Sequence, residues 1–326
     1  MSQATVDATV IQSAVELACR APSLHNSQPW RWVAEAGGLQ LFADPSRIGH
    51  HTDSTGREVI LSCGAVLDHL RVAMAAAGWQ ATIDRFPNPN NHDHLATIDF
   101  QPTEFVSDAE RTLADAIRRR RTDRLPFAAP ADWDMFETVL RTTFDESAAY
   151  LDVIDDDTRP ALADASRMTE ELRRRDPSYE AELLWWTGYT DSQEGIPPTA
   201  LVSESEAQRV DVARAFPTSG DSARRAELDR DHSKILVLST YDDSRDNVLR
   251  CGEVLSTVLL EATVADMATC TLTHLIEINA AREVVRRQIA RIAEPQVLVR
   301  VGRAPQTDTP PPPTPRRALT EVLEIR

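Results

Sequence analysis

The chain reads Arg20-Ala21-Pro22-Ser23-Leu24-His25-Asn26-Ser27-Gln28-Pro29-Trp30 at the point that decides its fold. Pro22 ends an amphipathic helix that we predict at about residues 7–20, and Trp30 begins a strand. The short polar side chains between them can present donors and acceptors to a planar heteroaromatic ring, while Trp30 anchors the loop in the core. Composition alone leaves open a second interpretation, a well-capped loop that binds no ligand.

In the rest of the chain, the periodicity of apolar residues predicts both helices and strands, and therefore an α+β protein. Ser107 and Glu110 form a capping box that begins a helix running to the arginines at 118–121. Residues 177–233 are polar and irregular, which is typical of a lid or a disordered loop. Residues 310–313 form a stiff polyproline segment. Further predicted helices cover residues 58–77, 133–142, 159–175, 252–267 and 280–292, and predicted strands cover 30–33, 39–42 (joined by a Gly37-Gly38 turn), 94–100, 151–154, 235–238 and 296–301.

One short sequence occurs twice. Cys63-Gly64-Ala65-Val66-Leu67 returns as Cys251-Gly252-Glu253-Val254-Leu255, each time at the predicted start of a long helix and with the same apolar phase. Five residues can match by chance, but both copies follow strands and precede a strand. We therefore take an ancient duplication as a hypothesis.

The charge balance argues against several classes of partner. The net charge is −16, so phosphate backbones and anionic membranes would be repelled, and we expect neither nucleic acid nor membrane binding. The basic runs at 118–121 and 316–317 are the exception. A solvated helix face remains the simpler explanation for an isolated cluster of this kind.

Cysteine and histidine usage predicts no metal site. The 4 cysteines lack CxxC spacing, which argues against zinc, iron–sulfur clusters or a redox dithiol. The histidines at 50–51, 92 and 94 lie in polar, loop-like surroundings with no third ligand nearby. The N-terminus has neither a basic start nor an apolar signal core, and no apolar run approaches the length of a membrane span, so we expect a cytoplasmic protein.

The pattern APSxxNxQPW in the opening stretch resembles the flavin-binding loop of the nitroreductase family, in which this loop reaches over an FMN held mainly by the other subunit. The candidate flavin contacts here are Pro22, Ser23, Leu24, Asn26 and Gln28. The resemblance implies an α+β nitroreductase fold with FMN as the cofactor.

A second motif, Arg120-Arg121-Thr122-Asp123-Arg124, resembles the family's RRSxR phosphate motif, with threonine in place of serine. In an extended segment side chains alternate, so Arg120, Thr122 and Arg124 would point the same way. Two guanidinium groups and a hydroxyl are a good clamp for a phosphate dianion. Capping of the preceding helix by the arginines is a compatible alternative.

Two further matches complete the resemblance. Residues 296–302, followed by Arg316 and Arg317, are similar to the family's last strand and the basic residue that returns to the FMN phosphate. Glu194-Gly195-Ile196 looks like the family's Glu-Gly pair, whose backbone amides face flavin N5. A simple loop turn is the alternative for this short match.

The distribution of these motifs predicts a fused dimer. The first half, 1–106, has the loop but no RRSxR motif, and the second half, 107–326, has the arginines but no copy of the loop. Each half would be a sheet flanked by helices, with a lid-like insertion at about 177–233 in the second half and a C-terminal tail. This arrangement resembles the Acg-type branch found in actinobacteria. It implies one composite FMN site and a chain that stays monomeric.

The family resemblance implies an NAD(P)H-dependent flavoprotein that passes hydride through flavin N5 to a nitroaromatic, a quinone or a similar acceptor. No amino-acid general acid is apparent. A different class of function competes with it, because residues 177–233 could fold over the ring, exclude nicotinamide and leave a protein that stores or sequesters FMN. A relic of the fold that binds no flavin is a third interpretation. The sequence leaves open whether the chain is an enzyme.

Overall fold

The computed structural model describes residues 5–35, 38–47, 49–188, 193–305 and 312–326. The helices are α1 (Ala8–Ala18), α2 (Arg57–Ala76), α3 (Asp108–Arg119), α4 (Trp133–Leu140), α5 (Arg159–Arg173), α6 (Pro177–Gly188), α7 (Glu204–Ala207), α8 (Arg245–Val264), α9 (Asn279–Arg286) and α10 (Leu319–Val322). The strands are β1 (Trp30–Glu35), β2 (Gly38–Ala43), β3 (Trp79–Arg85), β4 (His94–Pro102), β5 (Tyr150–Val153), β6 (Lys234–Thr240), β7 (Ala268–Leu272), β8 (Glu294–Gly302) and β9 (Leu323–Ile325). They confirm the predicted α+β class.

The first sheet has the strand order β3-β4-β2-β1-β9. Strand β2 pairs antiparallel with both β4 and β1, and Trp30 lies opposite Ala43 in the β1–β2 ladder. The side chains of Trp30 and Trp32 are fully buried, so β1 is fixed in the core as the sequence predicts. The last strand, β9, pairs in parallel with β1, which brings the C-terminal tail back to residues 30–35.

The second sheet has the strand order β5-β6-β8-β7 and is antiparallel throughout. Its central strands, β6 and β8, are buried along almost their whole length because helices cover both faces. The strands before residue 107 thus form one sheet, those from 150 to 302 form another, and only β9 joins the sheet of the other half. The division at 106/107 stays a prediction.

The two copies of the repeated pentapeptide meet where α2 crosses α8. A Cβ atom on Gly64 would lie 2.0 Å from the Leu249 carbonyl oxygen, and one on Gly252 would lie 2.1 Å from the Leu61 carbonyl oxygen. Glycine at both positions lets the two backbones touch. The copies lie well inside their helices rather than at their starts, because α8 begins at Arg245, where the hydroxyl of Ser244 caps it, and not at residue 252. Helix α2 is long and apolar enough to span a membrane, but it lies buried in the core against α8.

Local capping signals explain why the start of α3 was predicted from the sequence and the start of α6 was not. The Ser107–Glu110 capping box begins α3 as predicted. The segment 177–233, polar and irregular by composition, begins with an α-helix at Pro177–Gly188, where the Asp176 carboxylate accepts the amides of Ser178 and Tyr179. Strands β3, β7 and β9 were not predicted. Gly37 of the predicted turn and residues 310–311 of the polyproline segment lie outside the described residues.

Candidate functional site

The loop between α1 and β1 has an unusual backbone. His25, Asn26 and Gln28 have φ angles of 50°, 58° and 49°, a left-handed conformation that non-glycine residues seldom adopt. The Ser23 hydroxyl accepts the Gln28 amide at 3.0 Å, and the Leu24 amide donates to the Ser62 hydroxyl on α2 at 3.2 Å. Strain of this kind persists only where the surroundings fix the backbone, and it is typical of functional loops.

The amides of Asn26 and Gln28 hold two other segments in place. Asn26 Nδ2 donates to the Gly195 carbonyl at 3.0 Å and to the Pro315 carbonyl at 3.1 Å. Gln28 Nε2 donates to the Gln193 carbonyl at 2.9 Å, and Gln28 Oε1 accepts the Arg317 amide at 2.9 Å. The loop, the 193–196 segment and the C-terminal tail, predicted separately from sequence, therefore meet in one place.

A cavity of about 130 Å³ lies beside this junction, and we call it the arginine cavity. No Asp or Glu is among its described lining residues, although the chain has 51 acidic residues. Its lining includes seven arginines: Arg20, Arg118, Arg119, Arg120, Arg121, Arg124 and Arg316. A cluster of this kind has the field and the geometry to bind an anion.

Arg120 and Arg316 are the two arginines of this cluster whose pKa values are lowered most. Arg120 is only 6% exposed, and its Nε has no hydrogen-bond partner among the described residues. Burial, together with the charge of Arg20, lowers the pKa of Arg120 to about 10. Burial and the charges of Arg120 and Arg20 lower the pKa of Arg316 to about 9. Both shifts have the direction expected of cations held together in a low dielectric.

A larger cavity of about 530 Å³ adjoins the arginine cavity, and we call it the main cavity. The two cavities share Pro22, Ser23, His25, Thr122 and Arg124. The main cavity lies within the size range of small-molecule sites, and its lining combines apolar side chains with a few polar groups. Its other walls include Leu61, Ser62, Leu255, Thr271, Leu272, Arg214 and Phe216.

His25 lines both cavities, and the sequence analysis did not single it out. Its ring packs against Trp186 at 6.3 Å and edge-on against Phe216 at 5.9 Å between centroids. Neither ring nitrogen has a partner among the described residues. Burial, with the charges of Arg214 and Arg124, holds the pKa of His25 well below its ordinary value, so the imidazole is neutral. His25 occupies a variable position of the motif, and the motif therefore gave no signal for it.

A buried ionic network forms another wall of the main cavity and was also missed. Arg214 pairs with Glu277, and its NH1 donates to the Tyr179 hydroxyl at 2.7 Å. Glu58, on the first turn of α2, lines the cavity and is 2% exposed. Burial and the charge of Glu277 raise the pKa of Glu58 well above its ordinary value. Glu58 lies in the predicted helix 58–77, but helical periodicity alone marks no residue as a cavity wall.

The predicted phosphate motif lies where the cavities meet. Arg120, Arg121, Thr122 and Arg124 all line the arginine cavity, and Thr122 and Arg124 also line the main cavity. Thr122 forms a parallel β-bridge with Thr269 of β7, so the backbone of the motif is extended here. Arg124 stacks over the Phe216 ring at 4.9 Å and donates to the Ala200 carbonyl at 3.3 Å.

The Glu194-Gly195-Ile196 segment packs against α6. Glu194 forms an ion pair with Arg47. Gly195 has a φ of 80°, and a Cβ atom there would lie 2.6 Å from the Trp186 carbonyl oxygen, so the position requires glycine. The Ile196 amide donates to that same carbonyl at 2.7 Å. Gly195 and Ile196 line the arginine cavity.

The two C-terminal arginines differ in position. Arg316 lines the arginine cavity, whereas Arg317 is absent from the described lining of either cavity and lies 3.9 Å from the carboxylate of Asp44. Within the described ranges, no cluster of three or more His, Cys, Asp or Glu residues could hold a metal ion. Cys19, Cys63, Cys251 and Cys270 are free and buried.

The chain has low similarity to solved structures of FMN-dependent nitroreductases. No protein-family model matches the chain. The FMN- and NADPH-dependent nitroreductase NfnB of a Sphigopyxis strain is 16% identical, with 65% of this chain and 97% of that chain covered and a TM-score of 0.40. The FMN-dependent nitroreductase NfnB of Mycobacterium smegmatis is 14% identical, with 66% and 97% covered and a TM-score of 0.39.

Relatives in Mycobacterium tuberculosis are much more similar. The protein named "Putative NAD(P)H nitroreductase acg" is 57% identical over 326 residues, which cover 100% of this chain and 98% of that protein. "Putative NAD(P)H nitroreductase Rv3131" is 39% identical over 98% of this chain and 92% of its own length. These full-length matches confirm the family resemblance predicted from sequence. The chain belongs to the nitroreductase family, in its Acg branch.

Proposed function

We propose that the chain is a flavoprotein oxidoreductase that binds one FMN and takes electrons from NAD(P)H to reduce a nitroaromatic, a quinone or a similar small acceptor. One observation carries the proposal: the arginine cavity, without acidic residues in its described lining, adjoins a main cavity large enough for a planar ring system. The names of the two mycobacterial relatives support the choice of electron donor and reaction class.

The residues present fit an FMN molecule. The phosphate would lie in the arginine cavity, where the buried Nε of Arg120 has no partner among the described residues. The ring system would lie in the main cavity, against Pro22 and Ser23 of the strained loop and Thr122 and Arg124 of the phosphate motif. FMN, once bound, supplies the acceptance and donation of hydride at its N5 atom.

The chain contributes positioning and electrostatics. Arg124, at the junction of the two cavities, can stabilise negative charge on a reduced ring system. The neutral imidazole of His25 can donate one hydrogen bond and accept another at the same junction. The rings of Trp186 and Phe216 pack against His25 and limit the space around its imidazole.

The experiment is a reconstitution followed by anaerobic reduction. The purified chain is saturated with FMN, freed of excess cofactor and mixed with NADH or NADPH without oxygen. We expect flavin absorbance that stays with the protein and is bleached by at least one nicotinamide. A protein that retains no flavin after saturation would overturn the proposal.

A second candidate, FMN storage, is favoured by the closed position of residues 193–217. Asn26 and Gln28 fasten residues 193 and 195 to the loop, and Phe216 packs on His25. If this segment blocks nicotinamide, the bound flavin is reduced slowly, and Phe216→Ala accelerates the reduction of the flavin that remains bound. Phe105→Ala, an exposed aromatic outside the described cavity linings, is the matched control. Equal reduction rates in the wild-type protein and the Phe216 variant would remove the case for a gate.

The monomeric state and the cytoplasmic location are part of the same proposal. A single composite site inside one chain needs no second subunit to complete it. Size-exclusion chromatography with light scattering tests the monomer, and a dimer whose dissociation releases FMN would contradict it.

A further inference from the structure

The arginine cavity holds more arginines than a phosphate needs, and they are not equivalent. We infer that Arg20 is a direct ligand of the phosphate group of the bound flavin, and that Arg316 is a positioning residue that holds the backbone around it. This inference rests on the proposed flavin function and concerns a residue outside both motifs that the sequence analysis used for the phosphate.

Arg316 has no donor left for a ligand. Its Nε donates to the Cys19 carbonyl at 2.8 Å, and its NH2 donates to the Arg20 carbonyl at 2.9 Å and the Ala21 carbonyl at 3.5 Å. Its NH1 donates to the carbonyls of Thr314 and Pro315, each at 3.0 Å. A guanidinium has five N–H groups, and all five have a backbone carbonyl here.

Arg20 is the opposite case. Its carbonyl accepts from Arg316 and, at 3.2 Å, from Arg120, so its backbone is fixed from two sides. Its guanidinium forms no hydrogen bond or ion pair with any residue in the described ranges, and its Nε is buried without a partner. The residue lines the arginine cavity. A fixed backbone with a free planar fork is a preorganised anion ligand.

The electrostatics of the cluster point the same way. The charge of Arg20 is among the causes that lower the pKa values of both Arg120 and Arg316. If the only role of Arg20 were to interact with the carbonyl groups at the end of α1, its position close to the two other cations would be unfavourable. A phosphate dianion among the three converts this repulsion into attraction.

The test compares FMN with riboflavin, which has the same ring system and no phosphate. The flavin-free chain is titrated with each ligand, and the affinity ratio isolates the contribution of the phosphate. We expect Arg20→Gln to weaken FMN binding by about ten- to a hundredfold and to leave riboflavin binding unchanged. Arg20→Lys keeps the positive charge but lacks the planar guanidinium, so its ratio of FMN affinity to riboflavin affinity should lie between those of the wild-type chain and Arg20→Gln.

Two further variants separate binding from positioning. Arg316→Gln should weaken both flavins together and lower the melting temperature, because it releases the tail from the loop. Arg111→Gln is the matched control, since Arg111 is exposed, pairs with Asp108 at 3.0 Å and lies outside the described lining of both cavities. It should leave both affinities nearly unchanged.

The outcomes distinguish this inference from the proposed function. If the wild-type chain binds FMN more tightly than riboflavin and Arg20→Gln keeps the wild-type ratio, Arg20 is not a phosphate ligand although the flavin function stands. Equal weakening of both flavins by Arg20→Gln also overturns the inference, because it shows a structural role. A wild-type chain that binds neither flavin overturns the proposed function and, with it, this inference.

Discussion

Two buried arginine clusters of this protein are built in opposite ways. In the core, the fully buried Arg300 donates from Nε and NH2 to the two carboxylate oxygens of Asp231, at 3.0 and 2.9 Å. Arg159 donates to the same carboxylate at 2.7 Å, and the Phe127 amide donates to it at 2.8 Å. In the arginine cavity, Arg120 is almost as buried and has no carboxylate partner among the described residues.

The difference separates a structural cluster from a ligand site. Burying a charge costs free energy that only a counter-charge and hydrogen bonds can offset, and Asp231 provides both within the chain. With 51 acidic residues against 35 basic ones, the chain has no shortage of counter-charges for the second cluster. Arg20 and Arg120 instead line a cavity with a buried Nε that has no partner among the described residues, and we therefore propose that a ligand provides their counter-charge.

The largest effect we expect is on the paired cluster. Asp231→Ala leaves Arg300 and Arg159 buried without their carboxylate, and it should lower the free energy of unfolding by about 3–5 kcal/mol. Urea unfolding of the flavin-free chain measures this change. A loss below about 1 kcal/mol would show that solvent reaches this cluster and that the contrast between the two clusters is weaker than the geometry indicates.

The next effect should appear in binding rather than in folding. Arg120→Ala removes a buried cation whose Nε has no partner among the described residues, so it should weaken FMN binding by about 1.5–3 kcal/mol, which is roughly ten- to a hundredfold. The unfolding free energy of the flavin-free chain should change little, since like-charge repulsion is relieved. Unchanged FMN affinity together with a lower melting temperature would instead make Arg120 a capping residue of α3.

Local chemistry explains which parts of this contrast the sequence could predict. The Ser107–Glu110 capping box and the arginines that follow it define α3 and its end, and the loop at 20–30 carries its own proline and tryptophan signals. These features depend on residues close together in the chain. The structure confirms α3 and the predicted strand starting at Trp30.

What the sequence could not predict depends on distant contacts. Arg20 lines the arginine cavity beside Arg316, whose side chain reaches the Arg20 carbonyl from the other end of the chain, and β9 likewise returns from the C-terminus to pair with β1. Arg300 on β8 meets Asp231, and Arg120 at the end of α3 meets the Arg20 carbonyl, through contacts between residues far apart in the chain that no local pattern records. Helix α6 is different, since Asp176 and Pro177 form a start signal that the polar composition of 177–233 concealed.

The smallest effect should come from the rim of the arginine cavity. Arg119 is half-exposed and pairs with Asp266 at 3.3 Å. Arg119→Ala should change FMN affinity and unfolding free energy by no more than about 0.5 kcal/mol each, because solvent screens such pairs. A loss as large as that of Arg120→Ala would mean that overall positive charge, rather than buried unsatisfied donors, defines the site.

The number of flavins per chain tests the central claim most directly. The claim is that the arginine cavity and the loop at 20–30 form one composite site, with no second copy of either motif in the sequence. Flavin released by denaturation from saturated, desalted protein is measured by fluorescence against protein concentration from amino-acid analysis. We predict a ratio close to one FMN per chain, and a ratio close to two or to zero would contradict the account.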